Sequence, residues 1–179
     1  LKIKNEYLRN AEKYKHQILV CAGAGCVSSD CGLVRDAVVE QVKALSLEGE
    51  VRVFETGCMG TCAVGPVMLI LPERIFYTKL TPEIAQKIVK AHLVDGEILE
   101  EHTFYDHALS KHIPKIDDIN FFKEQVRIVL RNCGILEYNS IEAYIAANGY
   151  SSAAKALLFM TDTAVIQEVK TSGLRGRGG

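Results

Sequence analysis

With 179 residues, 48% of them hydrophobic and 24% charged, the chain has the composition of a globular protein with room for one sizeable domain or two small ones. A formal net charge of −1 gives nucleic acid no electrostatic hold as a bulk partner. No apolar run approaches the roughly 18 residues of a spanning helix and the start of the chain lacks a signal-peptide core, so the expectation is no membrane insertion and a cytoplasmic setting, where the six cysteines are metal ligands or buried side chains before they are disulfides.

Taken in order, residues 1–16 predict a helix with Ile3, Tyr7, Ala11 and Tyr14 on its packing face. The run Gln17-Ile18-Leu19-Val20 predicts a strand that leads into Cys21 and, four residues on, Cys26. Leu33, Val34, Ala37, Val38, Val42 and Leu45 then fall at helical spacing, with Asp30 as the expected N-cap and Cys31 packed at the helix start. A second strand, Val51-Arg52-Val53-Phe54, precedes Cys58-Met59-Gly60-Thr61-Cys62. Residues 67–71 and 75–77 predict a hairpin around Pro72-Glu73-Arg74, and Thr81 with Pro82 starts a helix that carries Ile84, Ile88, Val89 and Leu93 and stops near Asp95-Gly96. The order is β-α-β-β-β-α. From 97 to 118 the pattern weakens into clustered charges, Pro114 and three histidines, His102, His107 and His112, whose spacing of five does not place them on one helical face. A solvated linker is expected there. Beyond it lie Phe121-Phe122, a Cys133 read as a small buried hydrophobe, helices near 140–148, 151–160 and 163–171, and the ending Ser172-Gly173-Leu174-Arg175-Gly176-Arg177-Gly178-Gly179.

Four cysteines organise this pattern. Two strands joined by a crossover helix run parallel, so the loops carrying Cys21 and Cys26 and carrying Cys58 and Cys62 are predicted to leave the sheet on one side and converge. Four soft thiolates suit either a tetrahedral zinc or a 2Fe-2S cluster. Gaps of four and three residues, with Gly23, Gly25, Gly57, Gly60 and Gly65 letting backbone pass close to inorganic sulfide, favour the cluster. A zinc-stabilised interaction module without redox activity remains the alternative on spacing, as does use of Cys31 with Cys26. At the other end, glycines beside Arg175 and Arg177 offer amides and guanidiniums to phosphate, although such a tail alone is a weak signal.

The stretch from Thr56 through Cys58 and Cys62 to Pro66, together with the C-x4-C of Cys21 and Cys26, resembles the thioredoxin-like 2Fe-2S ferredoxin domain over about residues 17–96. That domain occurs in the 24 kDa-type subunit of NADH dehydrogenase and, fused, in the flavin subunit of NAD-linked iron-only hydrogenases. The resemblance implies an α/β fold in which Cys21 and Cys26 hold one iron and Cys58 and Cys62 the other. The run from Arg127 to Gly134, through Tyr150, to the glycine-arginine ending resembles the opening of the 51 kDa-type flavoprotein subunit, whose glycine-rich loop lies at the FMN and NADH site. This implies Gly173, Arg175, Gly176, Arg177, Gly178 and Gly179 as cofactor-binding positions. Together the two resemblances imply a piece of a longer, fused flavin subunit of an NAD(P)H-dependent oxidoreductase: helix 1–16, ferredoxin domain 17–96, linker 97–118, and the first part of an FMN/NADH-binding domain at 119–179, with a 4Fe-4S motif beyond. The implied work is single-electron transfer between an FMN and NAD(H) site and partner iron-sulfur subunits of a hydrogenase or NADH dehydrogenase complex. No residue here is expected to be catalytic, and the chain alone is expected not to oxidise NADH.

Overall fold

The computed structural model describes residues 2–176. By internal contacts the chain divides into a smaller unit, made of the first seven residues and the chain from Ile141 onward, and a larger one, Leu8–Ser140.

In chain order, α1 is Lys2–Ala11, with Tyr7 and Ala11 half-buried and Ile3 left 46% exposed. The larger unit then runs through β1 (His16–Cys21), a short α2 (Ala24–Val27), α3 (Cys31–Ala44), β2 (Val51–Thr56), β3 (Met68–Leu71), β4 (Ile75–Tyr77) and α4 (Pro82–Lys90), which ends in a wide turn, Ala91–Asp95. The sheet order is β2-β1-β3-β4, with β1 and β2 parallel and the other neighbours antiparallel. The predicted β-α-β-β-β-α order is the observed one, with α2 as an added helical turn inside the first cysteine loop.

Burial follows strand position. β1 and β3 are central, so both faces are covered and Ile18, Leu19, Val20, Met68, Leu69 and Ile70 are all buried, which is why these segments read as unbroken apolar runs. β2 is an edge strand and alternates less regularly. α3 packs against α4 and buries Val34, Ala37, Val38 and Val42. Thr81 caps α4 through its hydroxyl, which accepts from the Ile84 N–H at 3.3 Å, and Pro82 occupies the first helical position as expected. Asp30 stands at the cap position of α3 but in the left-handed region, φ 59°, and its side chain accepts no cap bond.

The stretch 97–118, read from the sequence as a linker, is built against the sheet. It forms the hairpin β5 (Phe104–Asp106) and β6 (Lys111–Ile113) between short 3₁₀ turns at Glu100–His102 and Ile116–Asp118. Its backbone covers the outer edge of β4: Phe76 donates to the Pro114 carbonyl at 2.8 Å and Thr78 to that of His102 at 2.9 Å. Ile113, Ile116 and Ile119 enter the common core. An uncovered strand edge would present unpaired amides, and this segment satisfies them. The reason it looks like a linker is that its contribution is carried by isolated apolar residues three apart and by backbone bonds, neither of which leaves a periodic pattern. The larger unit continues through α5 (Asn120–Lys123) and an irregular stretch to Ser140.

The smaller unit holds α6 (Ile141–Ala146), α7 (Ser151–Phe159) and α8 (Asp162–Thr171), close to the three predicted helices. Within it the Tyr144 and Tyr150 rings meet edge to face at 4.8 Å, Lys4 Nζ donates to Asn148 Oδ1 at 3.1 Å, and Thr161 caps α8 by accepting from the Ala164 N–H at 3.2 Å.

Two measurements test this packing. Ile116→Ala should lower stability by about 2–4 kcal/mol in denaturant unfolding followed by circular dichroism, whereas a side chain on a solvated linker would change it by less than about 0.5 kcal/mol. His92 is buried beside the Tyr77 hydroxyl, 2.9 Å from its Nδ1, with the Glu73 carboxylate 3.7 Å from its Nε2. Burial, the larger influence, holds its imidazole below the ordinary 6.5. A depressed folded-state value means that the unfolded chain takes up the extra proton, so this stability is complete above about 6.5 and is lost as pH falls through the folded-state value. The melting temperature should fall below pH about 6.5, and less steeply in His92→Gln.

Candidate metal centre

Parallel pairing of β1 and β2 brings the cysteine loops together. The register runs from His16↔Val51 to Cys21↔Thr56, so Cys21 ends one strand beside the end of the other, and Cys58 follows two residues later. The Ala22 N–H extends the ladder to the Thr56 carbonyl at 2.9 Å, while Cys21 N–H bonds the Val67 carbonyl at 3.1 Å and ties the same strand end to the approach of β3.

The loops interlock at van der Waals contact. A Cβ added to Gly23 would lie 2.8 Å from the Cys58 Cβ and 3.0 Å from its Sγ, and one added to Gly25 would lie 3.0 Å from both the Cβ and Sγ of Cys62. In the opposite direction, a Cβ on Gly65 would lie 3.1 Å from Cys26 Sγ. Each loop therefore leaves room, by lacking side chains, for the other's cysteines.

Within each loop the two cysteines act on one another electrostatically. Burial, helped by the nearby Cys21, pushes the Cys26 thiol up to about 12. The nearby Cys58 is the first cause of the raised value of Cys62. Cys21 also acts electrostatically on Cys62, so the pairs lie within reach of each other. Cys21 and Cys26 are buried, Cys58 is half-buried and Cys62 is exposed, which gives the site an inner and an outer side. Among the described residues no group of three or more His, Cys, Asp or Glu side chains is gathered to hold a single metal ion. Four thiols on two adjoining loops are what either a 2Fe-2S cluster or a tetrahedral zinc asks of its protein. Further observations fit a cluster held here: the Gly60 N–H points at Cys58 Sγ, 3.4 Å away, and the buried Thr61 Oγ1 has no hydrogen-bond partner.

Against this geometry stand the known relatives. The model of the thioredoxin-like 2Fe-2S ferredoxin family matches residues 6–93. A 2Fe-2S ferredoxin of Clostridium pasteurianum is 30% identical over 94 residues, which is 48% of this chain and 92% of that one. The chain belongs to the thioredoxin-like 2Fe-2S ferredoxin family. The NADP-reducing hydrogenase subunit HndC of Solidesulfovibrio fructosivorans is 54% identical over 57 residues, 32% of this chain and 11% of that subunit. The crystal structure of the wild-type thioredoxin-like 2Fe-2S ferredoxin from Aquifex aeolicus superimposes with a TM-score of 0.47 at 26% identity, covering 50% of this chain and 95% of that one.

In this ferredoxin the remaining predicted positions fall in different places. Cys31 is buried at the first turn of α3, within electrostatic reach of Cys21 and Cys26. Cys133, which the sequence presented as a residue without partners, lies against the second cysteine loop: a Cβ on Gly57 would be 2.9 Å from its Sγ. It is delivered there because residues 133–138 dock along β2. The Gly134 N–H donates to Thr56 Oγ1 at 2.9 Å, Thr56 Oγ1 donates to the Leu136 carbonyl at 2.7 Å, and Arg52 pairs with Glu137 at 2.7 Å. Only the Arg127-to-Gly134 run hinted at this segment, and nothing in it announced a contact some eighty residues back. The three histidines set aside for their spacing, His102, His107 and His112, line one cavity of about 630 Å³ with Ala63 and Val64, the residues that follow Cys62. In the glycine-arginine ending, Gly173 has φ 65° just beyond α8, its N–H bonded to the Lys170 carbonyl at 3.2 Å, and Arg175 and Gly176 are exposed. Arg177, Gly178 and Gly179 lie outside the described residues. No helix among the described residues is long and apolar enough to cross a membrane.

The interlocked loops set a sharp steric test. Gly23→Ala or Gly25→Ala introduces a methyl where a cysteine Cβ already lies, so either change should reduce bound iron per chain at least about twofold, measured by metal analysis and visible absorption. Gly32→Ala, at a position with open space around it, should leave the iron content unchanged.

Proposed function

We propose that Cys21 and Cys26 hold one iron of a 2Fe-2S cluster and Cys58 and Cys62 the other, and that the chain relays electrons through it. The single observation that carries this reading is the interlocking of two cysteine pairs at the adjacent ends of parallel β1 and β2. When bound, the cluster accepts and releases one electron at a time. The chain's own residues do the rest. Buried Cys21 and Cys26 fix the inner side, exposed Cys62 leaves the outer side open to exchange, and the glycines let the loops close without strain.

The wider reading is that this ferredoxin unit serves a flavin site. It rests on the resemblance of residues 127–179 to the start of a flavoprotein subunit and on the likeness of part of the chain to a subunit of an NADP-reducing hydrogenase. In that reading the partners are iron-sulfur subunits of a hydrogenase or NADH dehydrogenase complex in the cytoplasm, the C-terminal residues open an FMN/NADH-binding domain, and Gly173, Arg175, Gly176, Arg177, Gly178 and Gly179 contribute to an FMN and NAD(P)H site completed elsewhere. The relay then has a chemical purpose, because a flavin takes two electrons as hydride and can pass them on singly.

The ligand set is tested by four Ser replacements. Each of Cys21→Ser, Cys26→Ser, Cys58→Ser and Cys62→Ser should lower iron by more than about half and bleach the visible spectrum, because cluster binding is coupled to folding. Cys31→Ser and Cys133→Ser should retain both. A colourless wild-type protein that carries zinc would overturn the reading.

A further inference from the structure

Thr61 lies between the two cysteines of the second loop, and its hydroxyl oxygen is buried with no hydrogen-bond partner. A hydroxyl carries one donor and two acceptor sites, and leaving all of them unused away from water is unfavourable. The local structure offers the usual outlet and does not use it. Thr61 is the N-cap of the short 3₁₀ turn Cys62–Val64, where a threonine oxygen ordinarily accepts a backbone N–H, yet it makes no such bond. The other buried side-chain polar atom without a hydrogen bond among the described residues is His16 Nδ1, and that one faces the Glu73 carboxylate at 3.7 Å.

The same loop already directs one donor at sulfur. The Gly60 N–H reaches Cys58 Sγ at 3.4 Å. An unpaired, buried hydroxyl one residue further on, next in sequence to Cys62, has its natural acceptor in the sulfur atoms of a cluster held by these loops. We infer that the Thr61 hydroxyl donates a hydrogen bond to the sulfur atoms of the bound cluster and thereby sets how readily the cluster takes an electron. This rests on the proposed cluster reading. In this role Thr61 touches the cofactor without taking part in any bond change, and it acts through the charge on sulfur. Reduction adds one negative charge to the cluster, so a donor at sulfur favours the reduced form and raises the potential.

The experiment uses the whole chain with its cluster reconstituted, dithionite as the one-electron reductant, and the EPR signal of the reduced cluster as the readout. Thr61→Val keeps the shape of the side chain and removes its donor, whereas Thr61→Ser keeps the donor. The valine variant should hold a full complement of iron and show a reduction equilibrium constant about tenfold smaller, a midpoint about 59 mV more negative. The serine variant should stay near the wild-type value. Should the valine variant fail to hold its cluster, Thr61→Ala against Thr61→Ser gives the same comparison with a smaller side chain. A donor-free variant with full iron and an unmoved midpoint overturns the inference while leaving the ligand set standing. A wild-type chain that binds no 2Fe-2S cluster overturns the proposed function itself.

Discussion

The register of β1 against β2 is the constraint on which the candidate site depends. Six consecutive residue pairs, from His16↔Val51 to Cys21↔Thr56, fix where both strands end, and the loops that leave those ends have no freedom to miss one another. A one-residue slip would turn Cys21 to the other face of the sheet and carry its sulfur away from Cys58. The strand that carries this register is central, with Ile18, Leu19 and Val20 wholly buried. The apolar interior of the sheet therefore positions a polar, sulfur-rich site at its edge.

Close approach of the loops is a second requirement, and it is met by omission. Gly23 and Gly25 stand where any side chain would overlap Cys58 and Cys62, so contact between the two cysteine pairs is obtained by leaving Cβ atoms out. The cysteines themselves are held differently on the two sides. Cys21 and Cys26 are enclosed by the sheet and α3, whereas Cys62 sits on an exposed 3₁₀ turn. An electron relay needs this asymmetry: one side insulated from water, the other accessible to whatever gives or takes the electron.

The chain outside the ferredoxin family match closes both edges of the sheet that holds the site. On one edge the 97–118 segment bonds to β4, and on the other residues 133–138 bond to β2 next to the second cysteine loop. Thr56 joins the two ends of this arrangement, since its hydroxyl accepts from Gly134 and donates to Leu136 while its carbonyl receives the Ala22 N–H at the first cysteine loop. Cys133 arrives beside Gly57 as a consequence of that docking. The metal centre is thus supported by residues far from it in sequence, and all six cysteines of the chain belong to the larger unit.

The sequence alone determined the elements whose physics is local. The apolar runs of β1 and β3, the helical spacing of α3, the threonine and proline that start α4, and the two cysteine pairs at strand ends were all legible, because burial on both faces, amphipathic periodicity and capping each leave a short-range pattern. Only the tertiary structure decided the rest. It built residues 97–118 onto β4, brought His102, His107 and His112 to one cavity despite their unhelpful spacing, placed Cys133 against the second cysteine loop, and left the Thr61 hydroxyl enclosed without a partner. The physical reason is common to all four: each depends on backbone bonds or single contacts between residues distant in the chain, and such contacts impose no period on the sequence that makes them.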